Sequence, residues 1–221
     1  MTQHDPKITA SFDVDPQYTF TEMCPDELPV KGGTNIVNAL NEQAKLTRLR
    51  IGSKDAHSPK AIWVADKSKP MFSPVEGKDV DIAWNQHAVP GTKGFELIDG
   101  LPAPVDYDFF VWKGVELDMH PYGACYHDLA DTMSTGVIEY LRQNKIEHVL
   151  VGGLATDYCV KITALQLKKA DFAVTVNLEA CRGIEKNTTD AAIKEMQQNG
   201  IRIVSSTQEL MELENEQKNE K

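Results

Sequence analysis

Short apolar runs of four to six residues alternate along this chain with stretches whose apolar positions recur at helical spacing. Ile8-Thr9-Ala10-Ser11-Phe12 reads as a strand that leads into Asp13 and stops by Pro16. Ile36, Val37, Leu40, Ala44 and Leu46 follow Gly32-Gly33-Thr34 with near-helical spacing, and Leu49-Arg50-Ile51 then reads as a short strand. Residues 58–104 carry Pro59, Pro70, Pro74, Pro90, Pro102 and Pro104 with little periodicity, and a connection of that length in a compact domain usually carries function. Tyr107 to Trp112 is a second strand, ending in Lys113-Gly114. A helix is predicted near 129–143, a strand at His148 to Val151 closed by Gly152-Gly153, and a further helix through Lys161, Ile162, Leu165 and Leu167. A strand at Phe172 to Val176, a helix near 190–199 and a strand at Ile201 to Val204 complete the pattern. This alternation predicts a three-layer α/β fold with about six strands, mostly parallel, and helices on both faces.

Composition narrows the class. With 221 residues, 41% of them hydrophobic, and no Ser/Gly-rich linker, the chain is expected to form one domain over 1–221, with a loop-rich segment at about 55–104 and a charged tail that frays after 213. A formal charge of −10 argues against nucleic acid and anionic membrane as partners, since both reward clustered Lys and Arg. The polar start Met1 to Lys7 and the lack of an apolar run near the ~18 residues of a membrane span predict a cytoplasmic protein acting on a small molecule. Cys24, Cys125, Cys159 and Cys181 show no paired spacing and read as free thiols, with Cys125 and Cys181 as small buried fillers and Cys24 in a loop.

Cys159 differs from the other three. Thr156 or Asp157 can cap the helix that follows the His148 strand, which leaves Cys159 among the unsatisfied N–H groups of a helix start. Those donors favour a thiolate, but ionising a thiol of pKa ~8.5 at neutral pH costs roughly 2 kcal/mol, and a helix terminus returns under about 1 kcal/mol. A cation and a proton acceptor are needed as well. Asp13 and Lys113 end two other strands, and open α/β sheets build ligand sites at the carboxyl ends of their strands. Asp13, Lys113 and Cys159 are therefore the candidate catalytic triad. Asp55 and His57, just past the Leu49 strand, with His87 from the long loop, form a candidate site for Zn²⁺, Fe²⁺ or Mn²⁺ that leaves coordination positions open.

Gly153-Leu154-Ala155-Thr156-Asp157-Tyr158-Cys159-Val160 resembles the nucleophile motif of the isochorismatase-like cysteine hydrolases and, among them, the nicotinamidases. Five other segments share the resemblance, from about Thr9 to Val204: those holding Asp13, Asp55 with His57, His87, Lys113, and Cys181-Arg182-Gly183. It implies an amidohydrolase that converts nicotinamide to nicotinate and ammonia through a thioester on Cys159. Asp13 serves as base and acid, Lys113 as the electrostatic partner, and the backbone N–H groups of Ala155 and Cys159 as oxyanion donors, with a cis peptide before Ala155. Tyr18, five residues after Asp13, and Trp84, three before His87, stand at spacings similar to those of the rings that sandwich the pyridine. One divalent metal ion orients that ring, and relatives often assemble as homo-oligomers. The resemblance further implies that Asp13→Asn and Lys113→Ala nearly abolish turnover.

Two departures from the family pattern stand out. Many relatives carry a further histidine shortly after the Asp-x-His, where this chain has Ala61 and Trp63, and neither His120 nor His127 is taken as its substitute. Asp15-Pro16 stands where relatives often have Gln-Asn. A metal-free amidase acting on carbamoyl or aliphatic amides, and a non-catalytic thiol-sensing or binding protein, are the competing readings. Isochorismate hydrolysis itself is disfavoured, because its enzymes use no cysteine at this position.

Overall fold

In the computed structural model, which describes residues 5–212, six parallel strands lie in the order β3-β2-β1-β4-β5-β6. They are β1 (Thr9–Val14), β2 (Leu49–Asp55), β3 (Phe109–Lys113), β4 (His148–Leu154), β5 (Ala173–Arg182) and β6 (Arg202–Val204). The helices are α1 (Val37–Ala44), α2 (Val137–Gln143), α3 (Lys161–Lys169) and α4 (Lys186–Gln198). The chain starts at the sheet centre, winds outward through β2 to β3, returns to β4 beside β1, and winds outward the other way. The strand order therefore reverses between β1 and β4, where a crevice opens at the carboxyl edge of such sheets.

Alternation along β1 separates two apolar layers. Ala10, Phe12 and Val14 pack with Val137 and Leu141 of α2, Ala164 and Leu167 of α3, and Met196 of α4. Ala39 and Leu40 of α1 pack on the opposite side with Trp63, Leu154 and Ala180. The sheet is thus covered on both faces, which is why β4 is buried along its whole length and reads as a continuous apolar run.

Several element bounds differ from the sequence expectation, β5 reaching Arg182 instead of Val176 and α4 starting at Lys186 among them. α2 begins at Val137, because Gly136 adopts a left-handed φ of 89° that halts any helix entering from 129. β4 does not stop at Gly152-Gly153 but continues to Leu154, with an irregularity in its pairing to β5 between Val151 and Gly153. β2 runs four residues past Ile51 and delivers Asp55 at its end. The four cysteines are free, with Cys125, Cys159 and Cys181 buried. Among the described residues no helix is long and apolar enough to cross a membrane. The tail after 213 and His4 lie outside the described residues.

Candidate active site and metal centre

After Leu154 the chain turns through a cis Leu154–Ala155 peptide into a π-helical turn, Thr156–Val160, before α3. The N–H groups of Tyr158 and Val160 both donate to the Ala155 carbonyl, at 3.1 Å each. Cys159 therefore sits in a wide turn rather than in the first turn of an α-helix, and neither Thr156 nor Asp157 caps it. Asp157 instead accepts from Ile184 N–H (3.0 Å), Glu185 N–H (3.3 Å) and Thr188 Oγ1 (2.6 Å), which bolts the turn to the start of α4.

Lys113, the last residue of β3, is fully buried. The register sets it opposite Asp55, the last residue of β2. Its Nζ lies 2.5 Å from Asp55 Oδ1, 3.1 Å from Asp15 Oδ2, 3.2 Å from Pro121 O and 3.7 Å from Cys159 Sγ. The carboxylate beside Lys113 and Cys159 is that of Asp15, with an oxygen within 4.8 Å of the Cys159 Sγ. Asp13 is not in this group. Still inside β1, it faces the α1 layer, where its Oδ2 accepts from Arg50 Nε (2.9 Å), Arg50 Nη2 (2.6 Å) and Tyr107 Oη (2.9 Å). Asp15 lies one residue past the end of β1 with a left-handed φ of 44°, so it leaves the pleat and turns into the carboxyl edge. Ser53 Oγ holds it there by donating to Oδ1 at 2.6 Å.

The electrostatics of the group are asymmetric. Burial raises the Asp15 carboxyl to about 6 against the pull of Lys113. Burial pushes Asp55 upward too, but Lys113 first and then His57 and His87 outweigh it and hold it below the usual carboxylate range. Burial works against the Lys113 charge, yet the Asp15 and Asp55 carboxylates overcome it and keep the ammonium. Burial, helped by Asp55 and Asp15, lifts the Cys159 thiol well above its ordinary value despite Lys113. The resting state is thus a protonated thiol facing a carboxylate of raised affinity for protons.

On the other side of Asp55 lie three imidazoles. His57 Nε2 is 3.3 Å from Asp55 Oδ1 and His87 Nε2 is 3.9 Å from Asp55 Oδ2. His57 Nδ1 donates to Gly114 O (2.9 Å) and His87 Nδ1 to Asn85 O (2.7 Å), so each presents Nε2 to the cluster. Gly114 must be glycine: its φ is +72°, and a Cβ there would lie 2.2 Å from the His57 ring. The third imidazole is His120, which the sequence reading left out. Ligand nitrogens of His57, His87 and His120 lie within 4.8 Å of one another. Burial lowers His87 to about 3 and His120 well below its ordinary value, so both are neutral. His57 Nε2 and both nitrogens of His120 are buried without a hydrogen-bond partner. Imidazoles with orphaned nitrogens beside an ionised carboxylate form a donor set that fits a divalent cation. Gln17 pins the strand end that carries Asp55, donating to Asp55 O (2.9 Å) and accepting from Asp55 N–H (2.7 Å).

Both groups open into one cavity, lined by Cys159, Ala155, Asp55, His87 and His120 and walled by Phe20, Leu28, Trp84, Tyr122, Tyr158 and Ile184. Trp84 is in the wall; Tyr18 is not. Tyr18 lies under Lys93, whose Nζ is 3.7 Å from the ring centroid, and its hydroxyl accepts from Asp99 N–H at 3.2 Å. Phe20 takes the place expected of it. Both misplacements share one cause: counting from Asp15 instead of Asp13 shifts the aromatic from Tyr18 to Phe20. The indole of Trp84 is set by Nε1–H donation to Tyr122 Oη (3.1 Å), which itself donates to Asp81 (2.8 Å), and Tyr158 meets it edge-on at 5.0 Å.

A doubly covered parallel sheet with this constellation at its carboxyl edge places the chain in a class, the isochorismatase-family hydrolases. The chain belongs to that family, whose isochorismatase domain matches residues 14–208. It is similar to the nicotinamidase of Acinetobacter baylyi, with 29% identity over 81% of this chain and 85% of that protein. Among solved structures it is similar to an Acinetobacter baumannii nicotinamidase/pyrazinamidase (TM-score 0.84, 29% identity, 93% of this chain and 99% of that one). A Pyrococcus horikoshii pyrazinamidase in complex with zinc is also similar, with a TM-score of 0.72, 28% identity, and coverage of 90% of this chain and 99% of that one.

Proposed function

We propose that this protein is a nicotinamidase, hydrolysing nicotinamide to nicotinate and ammonia with Cys159 as nucleophile. The observation that carries the reading is that Cys159, backed by Asp15 and Lys113, and Asp55, His87 and His120 of the metal cluster line one aromatic-walled cavity. The similarity to nicotinamidases supports the choice of substrate. A flat ring fits between the Phe20 and Trp84 walls, with its carboxamide toward Cys159. Asp55, His57, His87 and His120 would hold a divalent ion, which would supply Lewis acidity for the ring nitrogen. A metal-free amidase would have no use for the buried, unpartnered nitrogens of His57 and His120.

Asp15 takes the Cys159 proton as sulfur attacks the carboxamide carbon. The backbone N–H groups of Ala155 and Cys159 face the developing oxyanion. Asp15 then protonates the departing amine, and after ammonia has left it activates water to cleave the thioester. Between ordinary thiol and carboxyl values the first transfer is uphill by roughly 6 kcal/mol. Raising Asp15 to about 6 offsets part of that cost, while burial of the Cys159 thiol adds to it, so the proton must move together with the attack on carbon. Lys113 stays cationic throughout and stabilises the thiolate, 3.7 Å from Sγ.

The test is ammonia and nicotinate release by zinc-replete protein, beside Cys159→Ala and chelator-treated protein. Turnover should vanish in Cys159→Ala and return to chelated protein on adding Zn²⁺. Turnover unaffected by chelation would favour the metal-free amidase, and turnover in Cys159→Ala would remove the nucleophile. A wild type that alkylates at Cys159 without hydrolysing any amide would favour the thiol sensor.

The raised Asp15 carboxyl also sets a pH dependence. Asp15 must start as carboxylate, so kcat/KM should be full above about pH 6 and fall as pH drops through that value. A profile flat down to pH 4.5 would show that no group of raised pKa serves as base.

A further inference from the structure

We propose that Trp63 is the positioning residue that makes His120 a metal ligand, holding the imidazole through its backbone and its ring together. The inference rests on the metal-binding part of the preceding reading and adds a residue to it. His57 and His87 each have Nδ1 tied to a carbonyl, which fixes where Nε2 points. His120 has no such tie, since neither ring nitrogen has a partner. Something else must set its orientation.

Trp63 is fully buried and heads the fully buried side chains by volume. Its Nε1–H donates to the carbonyl of Met119, the residue before His120, at 3.0 Å. His120 N–H donates to Asp79 O at 2.8 Å. The single peptide that joins Met119 to His120 is thereby anchored at both its carbonyl and its N–H, in a segment outside the named helices and strands. The indole also meets the His120 ring edge-on, with centroids 4.4 Å apart and planes at 72°. It meets His57 edge-on too (4.7 Å, 80°) and His87 at a tilt (5.4 Å, 51°). Stacking of His120 on His57 (5.1 Å, 20°) and against Trp84 (6.0 Å, 13°) limits its tilt, and the Trp63 edge limits rotation within that slot. One side chain therefore references all three imidazoles to each other.

An imidazole lone pair coordinates only along its own direction, so loosening the ring weakens the ion's hold even when the ligand is still present. Groups that orient a ligand typically cost 10–100-fold in metal affinity when removed. Trp63→Phe keeps an aromatic ring and removes the donor. We expect Zn²⁺ affinity, measured by chelator competition, to fall about tenfold in this variant. The Co²⁺-substituted protein should show a changed visible spectrum. The decisive arm is His120→Ala: once that ligand is gone, adding Trp63→Phe should cost clearly less than it does in the wild-type background. Benzothienylalanine at position 63 replaces only the N–H by sulfur. It should repeat the loss at unchanged thermal stability, and it serves if Trp63→Phe folds poorly.

An equal fall in affinity in both backgrounds would overturn the proposal, since a structural role does not depend on His120. An unchanged affinity in the single variants would overturn it as well. Wild-type protein that binds no Zn²⁺ would remove the metal reading and the inference together. Protein that binds Zn²⁺ but hydrolyses no nicotinamide would reject the substrate and leave the Trp63 result standing.

Discussion

Asp15→Asn is expected to lower kcat for amide hydrolysis by about 10³–10⁴-fold, while folded Asp13→Asn protein retains turnover within about threefold of wild type; general acid–base groups contribute up to about that larger factor. The two residues are two positions apart and both buried, yet their environments are unlike. Asp15 faces the Cys159 thiol and Lys113, so its amide can neither accept the thiol proton nor return one to the leaving amine. Asp13 makes its contacts with Arg50 and Tyr107 in the α1 layer. The expectation that Asp13→Asn abolishes turnover, which the sequence suggested, is therefore replaced by a stability effect. Removing one member of a largely buried ion pair leaves the other uncompensated and costs about 3–5 kcal/mol. Arg50 keeps 16% of its side chain exposed and a further contact to Asn41, so the lower end of that range is expected. Denaturant midpoints and single-turnover rates on both variants check this. Comparable loss of rate in folded Asp13→Asn would return Asp13 to the mechanism.

Lys113→Met should be the most damaging change for rate and stability together. Among the described residues Lys113 is the one cation paired with both Asp15 and Asp55, and its Nζ is also the positive charge beside Cys159 Sγ. Methionine fills much of the same volume but leaves two buried carboxylates facing each other, at a cost of about 3–5 kcal/mol at neutral pH. The thiolate loses its partner at the same time, so turnover should fall at least as far as in Asp15→Asn. The pH dependence of the stability loss has a definite sign. Asp15 already binds its proton more tightly folded than unfolded, and without Lys113 its folded pKa rises further. A raised folded pKa means a contribution that is present at low pH and lost as pH rises through that value. The variant's deficit relative to wild type should therefore shrink at pH 5 and grow toward pH 8. A deficit independent of pH would mean that packing, not charge, is what Lys113 supplies.

The parts of the site that were legible in the sequence lie at the ends of periodic elements. Cys159, Lys113 and Asp55 each follow a short apolar run. In a parallel sheet such runs end at one edge, so their convergence followed from the pattern. Trp84 and His87 lay in a loop without periodicity, where His87 gave a weak ligand signal that the resemblance to a family strengthened and Trp84 was singled out by the resemblance alone. His120 offered no signal of either kind. It enters the cluster because the chain turns back at Gly114 and is then anchored by Trp63 and Asp79.

What the sequence by itself determined is the order of strands and helices, the α/β class, and the residues that cap β2, β3 and β4, because strand and helix periods are local properties of the chain. What only the tertiary structure decided is which aspartate, which aromatic and which third histidine complete the site. Asp13 and Asp15 have the same parity, so a strand of undetermined length would put both on one face. The end of β1 at Val14 and the left-handed backbone of Asp15 separate them, and Phe20 takes the wall in place of Tyr18 as a result. Those outcomes depend on where a strand stops and how loops close over it, and contacts distant in sequence set both.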